Sequence, residues 1–211
     1  MNTSSTTVQN IVLSLRKEIT NGSLKAGMHL TEASVSKKFS VSRVPVREAF
    51  RILQSEGYLD VILNRGNFVK KISRDNIEEN GDIYKFLAPY VLKRAIPRYT
   101  KSTYKKAHAI LDRIETCTEY CESSYLVWEF AQVIYAPAKL DRSMKIINEI
   151  YSQSIRILNE FFESEKNTRY KIDSHRQFLN LCQENRSEEA IELWLGFVEK
   201  MKQILLEGKP D

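Results

Sequence analysis

Apolar residues recur at helical spacing from the start of the chain. Val8, Ile11, Val12, Leu15 and Ile19 share one face of a helix predicted over residues 7–20, and Asn21-Gly22 supplies its stop. Residues 23–30 read as a turn and a short extended piece. Thr31 caps a second helix with Val35 and Phe39 inward and Lys37 and Lys38 outward. A third helix is predicted over Arg43–Ser55. Ser42 is its N-cap, and Pro45 sits in the first turn, where a missing N–H costs nothing. Its inner face is Val46, Ala49, Phe50 and Leu53. After Gly57, an apolar strand over residues 58–63, a turn over 64–67 and a strand over 68–72 predict a β-hairpin.

Beyond Ser73 no alternating strand pattern is found. Ser73 or Asp75 caps a helix that runs through Ile83, Phe86, Leu87, Tyr90, Val91 and Ala95 to Pro97, with Pro89 expected to kink it. Further helices are predicted over roughly 101–120, 124–136, 140–163, 168–185 and 187–207. Their breaks fall at Pro137, at Glu165-Lys166-Asn167 and at Asn185-Arg186-Ser187. Asp141 or Ser143 is expected to cap the fourth stretch, and Ser187 with Glu188 and Glu189 to open the last. The predicted fold class is mainly α. A winged helix-turn-helix with a β-hairpin wing occupies residues 1–72, and an all-α bundle of six helices occupies 73–211.

Composition narrows the class. With 42% hydrophobic residues the 211-residue chain can bury a core, and seven glycines and five prolines are too few for a turn-rich all-β fold. No run reaches the ~18 apolar residues of a membrane span. Met1 to Thr7 has neither a basic start nor an apolar core, so no secretory signal is expected. Cys117, Cys121 and Cys182 are an odd, sparse set, read as free thiols in a reducing cytoplasm.

The net charge of +5 is unevenly placed. Residues 1–72 carry 11 basic and 5 acidic side chains, a net +6, whereas the remainder is close to neutral at −1. A basic head on a neutral body points to a polyanion partner. Within the head, Arg43, Arg47 and Arg51 stack at i, i+4 and i+8 on the outer side of the third helix. Three guanidinium groups so placed repel one another. Either a polyanion offsets the repulsion, or the face is merely solvated, with Glu48 and Glu56 compensating. The planar Arg fork suits phosphate oxygens and the guanine edge, and Arg65 at the hairpin tip suits a minor groove.

Residues 7–72 resemble the DNA-binding domain of the GntR family of bacterial transcription regulators. The resemblance rests on Ile19, Gly22, Leu24, Gly27 and Leu30, and on Val41-Ser42-Arg43 with Pro45-Val46-Arg47-Glu48-Ala49. Leu53, Glu56-Gly57 and Arg65-Gly66-Asn67-Phe68-Val69 complete it. The resemblance implies that Ser42, Arg43, Pro45 and Arg47 meet bases and phosphates and that Arg65 and Gly66 make wing contacts; the arginine face adds Arg51 to the expected DNA-binding residues. Many relatives carry Arg or Glu just after the position of Glu32. Ala33 and Ser34 stand there instead, which implies the loss of one backbone contact.

The remainder is similar in length and helix order to the FadR-type helical domain of that family, the FCD domain. Local likeness lies at Phe130 to Lys139 and from Ser174-His175 through Phe197. Many such domains bind a divalent metal through one Asp and three His. The family spacing places these on Val127, Ala131, His175 and Phe197, so only His175 is retained and no metal is expected. The family's carboxylate-gripping Arg falls on Tyr84. His175 is then a vestige, a hydrogen-bond donor to another ligand, or a satisfied helix histidine. Tyr84, Trp128, Tyr135, Trp194 and Phe197 either line an apolar effector pocket or fill it, with Gln132 as the other polar group expected there.

No P-loop, dinucleotide glycine motif, Gly-x-Ser-x-Gly or His-Glu-x-x-His is present, so no enzyme and no cofactor are expected. The sequence reads as a cytoplasmic transcription regulator, a repressor by expectation. Its partners would be a palindromic double-stranded operator, a second copy of itself and a small-molecule effector, with no membrane. The alternative is a constitutive DNA binder whose helical domain only dimerises.

Overall fold

Helix α1 (Thr3–Thr20) begins four residues before its predicted start at 7, because the polar residues ahead of Val8 carry no apolar period. A computed structural model describes residues 3–117, 120–164 and 171–207. They form two units, Met1–Ile72 and Ser73–Asp211. In the first, α1 is followed by β1 (His29–Leu30), α2 (Glu32–Phe39), α3 (Arg43–Ser55), β2 (Leu59–Ile62) and β3 (Gly66–Val69). Thr31 caps α2 by accepting the Ser34 N–H at 3.1 Å. Ser40 ends α2 in the left-handed region at φ 54°, which turns the chain into α3.

The sheet order is β1-β3-β2, all antiparallel. The hairpin turns at residues 63–65 rather than 64–67. Asn64 takes φ 60° and Arg65 N–H donates to the Ile62 carbonyl at 2.9 Å, so Gly66 already pairs with Ile62. The short β1 was legible only as an extended piece, since a two-residue strand has no period. Val8, Ile11, Val12, Leu15 and Ile19 of α1 bury against Val46, Ala49, Phe50 and Leu53 of α3, with Leu59 and Val69 from the sheet.

In the second unit, α4 (Arg74–Ala95) runs unbroken through Pro89. Its start is a reciprocal box in which Ser73 Oγ accepts the Asn76 N–H and Asn76 Oδ1 accepts the Ser73 N–H, each at 3.2 Å. Pro97 and Pro137 each sit in a single 3-10 turn, Ile96–Arg98 and Ala136–Ala138. Between and beyond them lie α5 (Lys101–Thr116), α6 (Tyr120–Tyr135), α7 (Asp141–Ser164), α8 (Asp173–Gln183) and α9 (Ser187–Glu207).

Helix α6 therefore begins before its predicted start at 124, and α8 after its predicted start at 168. Asp141 is the first residue inside α7 rather than its cap. The predicted break at Glu165-Lys166-Asn167 lies outside the described residues. Helix α8 ends in a Schellman closure: Asn185 takes φ 60°, its N–H donates to Cys182 O, and Arg186 N–H donates to Leu181 O. Gly81 lets α9 approach α4, since a Cβ there would meet Lys202 Cδ at 2.6 Å. Among the described residues no helix is long and apolar enough to cross a membrane.

Candidate nucleic-acid interface

Helix α3 separates its two faces cleanly. Val46, Ala49, Phe50 and Leu53 are buried, whereas Arg43, Arg47 and Arg51 are all exposed. Ser42 stands at the N-cap in extended backbone, and its hydroxyl makes no capping bond to the helix. Pro45 is half-buried in the first turn.

One acidic partner of this face lies elsewhere than sequence proximity suggests. Glu56 is turned away to Arg16, whose Nη2 donates to both its carboxylate oxygens at 2.7 Å. Instead Glu32, in the first turn of α2, accepts from Arg47 Nε at 2.7 Å. That bond, followed by the nearby charge of Glu32, raises the Arg47 guanidinium above its ordinary value. It leaves the Nη hydrogens of Arg47 for another acceptor. A pair fifteen residues apart across the helix-turn-helix has no signal in local spacing.

Arg65 projects from the wing turn, exposed, with its guanidinium 5.7 Å from the Phe68 ring centroid. Phe68 also stacks on His29 at 4.7 Å. Gly66 takes φ +96°, and a Cβ there would lie 2.8 Å from His29 Nε2. The hairpin base is therefore fixed from both sides beneath Arg65.

The aromatic candidates of the second unit pack ring against ring. Tyr84, Tyr135, His175 and Trp194 are each at most 5% exposed. Trp194 Nε1 donates to the Tyr135 hydroxyl at 2.7 Å, and that hydroxyl lies 2.5 Å from the one on Tyr84. Burial pushes both phenols well above their ordinary value, so they stay neutral. His175 sits among Phe130, Trp194 and Phe197, at 5.3, 5.4 and 4.5 Å between ring centres.

Trp128 is half-buried and packs on Tyr151 at 4.4 Å. Tyr151 in turn meets the Tyr84 ring edge-on at 5.7 Å. Gln132 departs from expectation: it is exposed and outside this cluster. It follows buried Ala131 by one residue, about 100° round the helix, which carries it past the inward face of α6.

A buried polar seam that the sequence did not signal joins α4, α6 and α7. Asn80 Nδ2 donates to Gln153 Oε1 at 2.9 Å, and Ser124 Oγ donates to Asn159 Oδ1 at 3.0 Å. Arg156 is buried beside them in sequence. Among the described residues, no three His, Cys, Asp or Glu side chains are grouped to hold a metal ion.

Burial pushes the His175 imidazole down to about 3. The unfolded chain, with an ordinary His near 6.5, then binds more protons than the fold below that pH. The stabilisation from keeping His175 neutral is complete above about pH 6.5 and is lost as pH falls toward 3. Urea unfolding should show the wild type losing up to about 1.4 kcal/mol per pH unit more than His175→Leu over that window. Parallel slopes would contradict the burial of an uncharged imidazole.

Comparison with known proteins agrees with this geometry. Residues 7–69 match the family of bacterial regulatory proteins called the gntR family. By this match residues 7–69 are similar to the domain that defines that family. It is 36% identical over 94 residues to the HTH-type transcriptional repressor RspR of Escherichia coli, a match covering 44% of this chain and only 41% of that relative. A longer match, 26% identical over 209 residues, covers 92% of this chain and 91% of the uncharacterized HTH-type transcriptional regulator YdhC of Bacillus subtilis. Among solved structures, Escherichia coli McbR/YncC superposes with a TM-score of 0.82 at 16% identity, covering 98% of this chain and 99% of its own. That last likeness is one of fold. RspR is named as a transcriptional repressor and YdhC as a transcriptional regulator.

Proposed function

We propose that this protein is a cytoplasmic transcription repressor that binds a palindromic operator as a homodimer. The observation that carries the reading is the exposed Arg43, Arg47 and Arg51 face on a helix whose opposite face is wholly buried. Ser42 at its start and Arg65 with Gly66 on the wing extend that surface. The recognition helix would enter the major groove and Arg65 the minor groove, with two-fold protein symmetry matched by two half-sites. Repressor-named relatives such as RspR support the sign of regulation.

The second unit would serve as the dimerisation and effector-response module, taking its effector without metal. Tyr84, Trp128, Tyr135, His175, Trp194 and Phe197 are the residues nearest such a ligand. An effector would change operator affinity only by binding DNA-competent and incompetent states unequally. A second reading, a constitutive binder whose helical unit only dimerises, is favoured by the close ring-on-ring packing of those side chains. A thermal-shift screen of metabolites and acyl compounds separates the two.

Selection of bound DNA from random oligonucleotides tests the main reading. A palindromic sequence should be enriched, and its affinity should fall steeply with salt, at about 0.9 log units per phosphate contact per log unit of salt. Binding without sequence enrichment would refute operator recognition.

A further inference from the structure

The hairpin stays apolar past the point where the core ends. Leu59, Val61 and Leu63 follow one another at every second position along β2 and into its turn, and their exposure climbs from 1% through 53% to 84%. Ile62 between them is 40% exposed, so three consecutive apolar side chains, Val61-Ile62-Leu63, face solvent. Single exposed apolar residues are ordinary, but such a run is a liability unless it has a use. The liability is greater here because β2 is an edge strand of its sheet.

The tip is also held firmly. Leu63 is the second residue of the turn Ile62–Arg65, which the Arg65 N–H closes on the Ile62 carbonyl at 2.9 Å. Asn64 at φ 60° and Gly66 at φ +96° fix the backbone that follows. Leu63 therefore stands at a pinned corner, with exposed Arg65 two residues away. Residues 58–72 carry Arg65, Lys70 and Lys71 against Asp60 alone.

An apolar protein groove would match the leucine and give Arg65 no partner charge. A minor groove offers both, a negative wall for the cation and stacked base faces for the leucine. Paired strands lie about 4.8 Å apart before side chains are added, and the groove is about 6 Å wide. A hairpin tip bearing a leucine enters only if the groove opens, and a kink toward the major groove opens it.

We propose that Leu63 enters the minor groove beside Arg65 as a wedge that unstacks one base step and bends the operator. This rests on the operator reading above and adds an action to it, shaping the DNA as well as binding it. Pyrimidine–purine steps unstack most easily, so one should recur under the wing in the selected sequences.

The test uses the full chain on the selected operator. Gel mobility of circularly permuted fragments reads the bend, and 2-aminopurine in place of the purine under the wing reads unstacking. The wild type should bend the duplex by about 20° or more and brighten the 2-aminopurine. Leu63→Ser should lose at least half of the bend and most of the brightening, and should bind about 10-fold more weakly. Leu63→Met, which stays apolar, should keep both signals. The free Leu63→Ser chain should match the wild type in circular dichroism and melting temperature, since Leu63 lies outside the core.

A wild type that leaves the operator straight, or a Leu63→Ser variant that bends it as the wild type does, overturns the wedge while operator recognition stands. A clearly lowered melting temperature in Leu63→Ser shows that Leu63 covers another part of this chain, and overturns the wedge as well. Random oligonucleotides from which no sequence is enriched overturn operator recognition, and this inference with it.

Discussion

Trp194→Ala should cost the second unit about 3–5 kcal/mol, the usual range for removing a fully buried large aromatic. Trp194 is 1% exposed and is met by five rings, those of Phe130, Tyr135, His175, Phe178 and Phe197. The truncation also takes away the indole N–H that donates to Tyr135. The Tyr135 hydroxyl keeps its bond to Tyr84, so the lost indole bond adds only about 0.5–1.5 kcal/mol. Set against a typical total of 5–15 kcal/mol, this change alone brings the helical unit close to unfolding. Thermal denaturation followed by circular dichroism would show it. Trp194→Phe, which keeps most ring contacts but not the N–H, should fall between. A melting temperature lowered by only a degree or two in the alanine variant would contradict the role given to this ring.

The second large effect is on DNA. Arg47→Ala should weaken binding to the selected operator roughly 10- to 100-fold, the range for losing one bidentate base contact. Binding to unrelated DNA should fall far less, because only one of several charges is lost. Arg47→Lys should not rescue it, since a point charge does not reproduce the fork. The Glu32 carboxylate on Arg47 Nε makes a finer prediction. Glu32→Gln should strengthen binding to unrelated DNA, by removing a negative charge near phosphates, while narrowing the gap between operator and unrelated DNA, by loosening Arg47. Gel-shift titrations on both DNAs measure this. Equal changes on the two would show that Glu32 acts only as a charge.

What could be read from the chain follows from how far each interaction reaches along it. The bounds of α3, the Thr31 cap and the buried quartet of Val46, Ala49, Phe50 and Leu53 depend on neighbours within a few residues, and periodicity exposes them. The Glu32–Arg47 and Arg16–Glu56 pairs close over fifteen and forty residues. Local spacing therefore offered Glu56 only as a compensating charge for the arginine face and gave no signal for Glu32. The pairing of His29 with Phe68 was hidden for the same reason.

In the second unit, the resemblance and residue type together put Tyr84, Trp128, Tyr135, His175, Trp194 and Phe197 in one group, but not that the Tyr84 and Tyr135 hydroxyls and the Trp194 indole bond to one another. Gln132 was misplaced because a helix turns a side chain about 100° per residue, and a resemblance matched by segment does not carry that angle. The Asn80–Gln153 contact was invisible because a polar residue on a helix is by default read as exposed.

The wing carries a last consequence, for how such a domain diversifies. Gly66 is held by two unrelated constraints, its φ of +96° and the His29 ring 2.8 Å from where a Cβ would stand. Neither constraint involves DNA. Arg65, one residue away, is bound by neither. Mutation can therefore rewrite what the hairpin tip says to a groove without disturbing the frame that presents it. Descendants of this chain with new operators should differ at 65 and agree at 66.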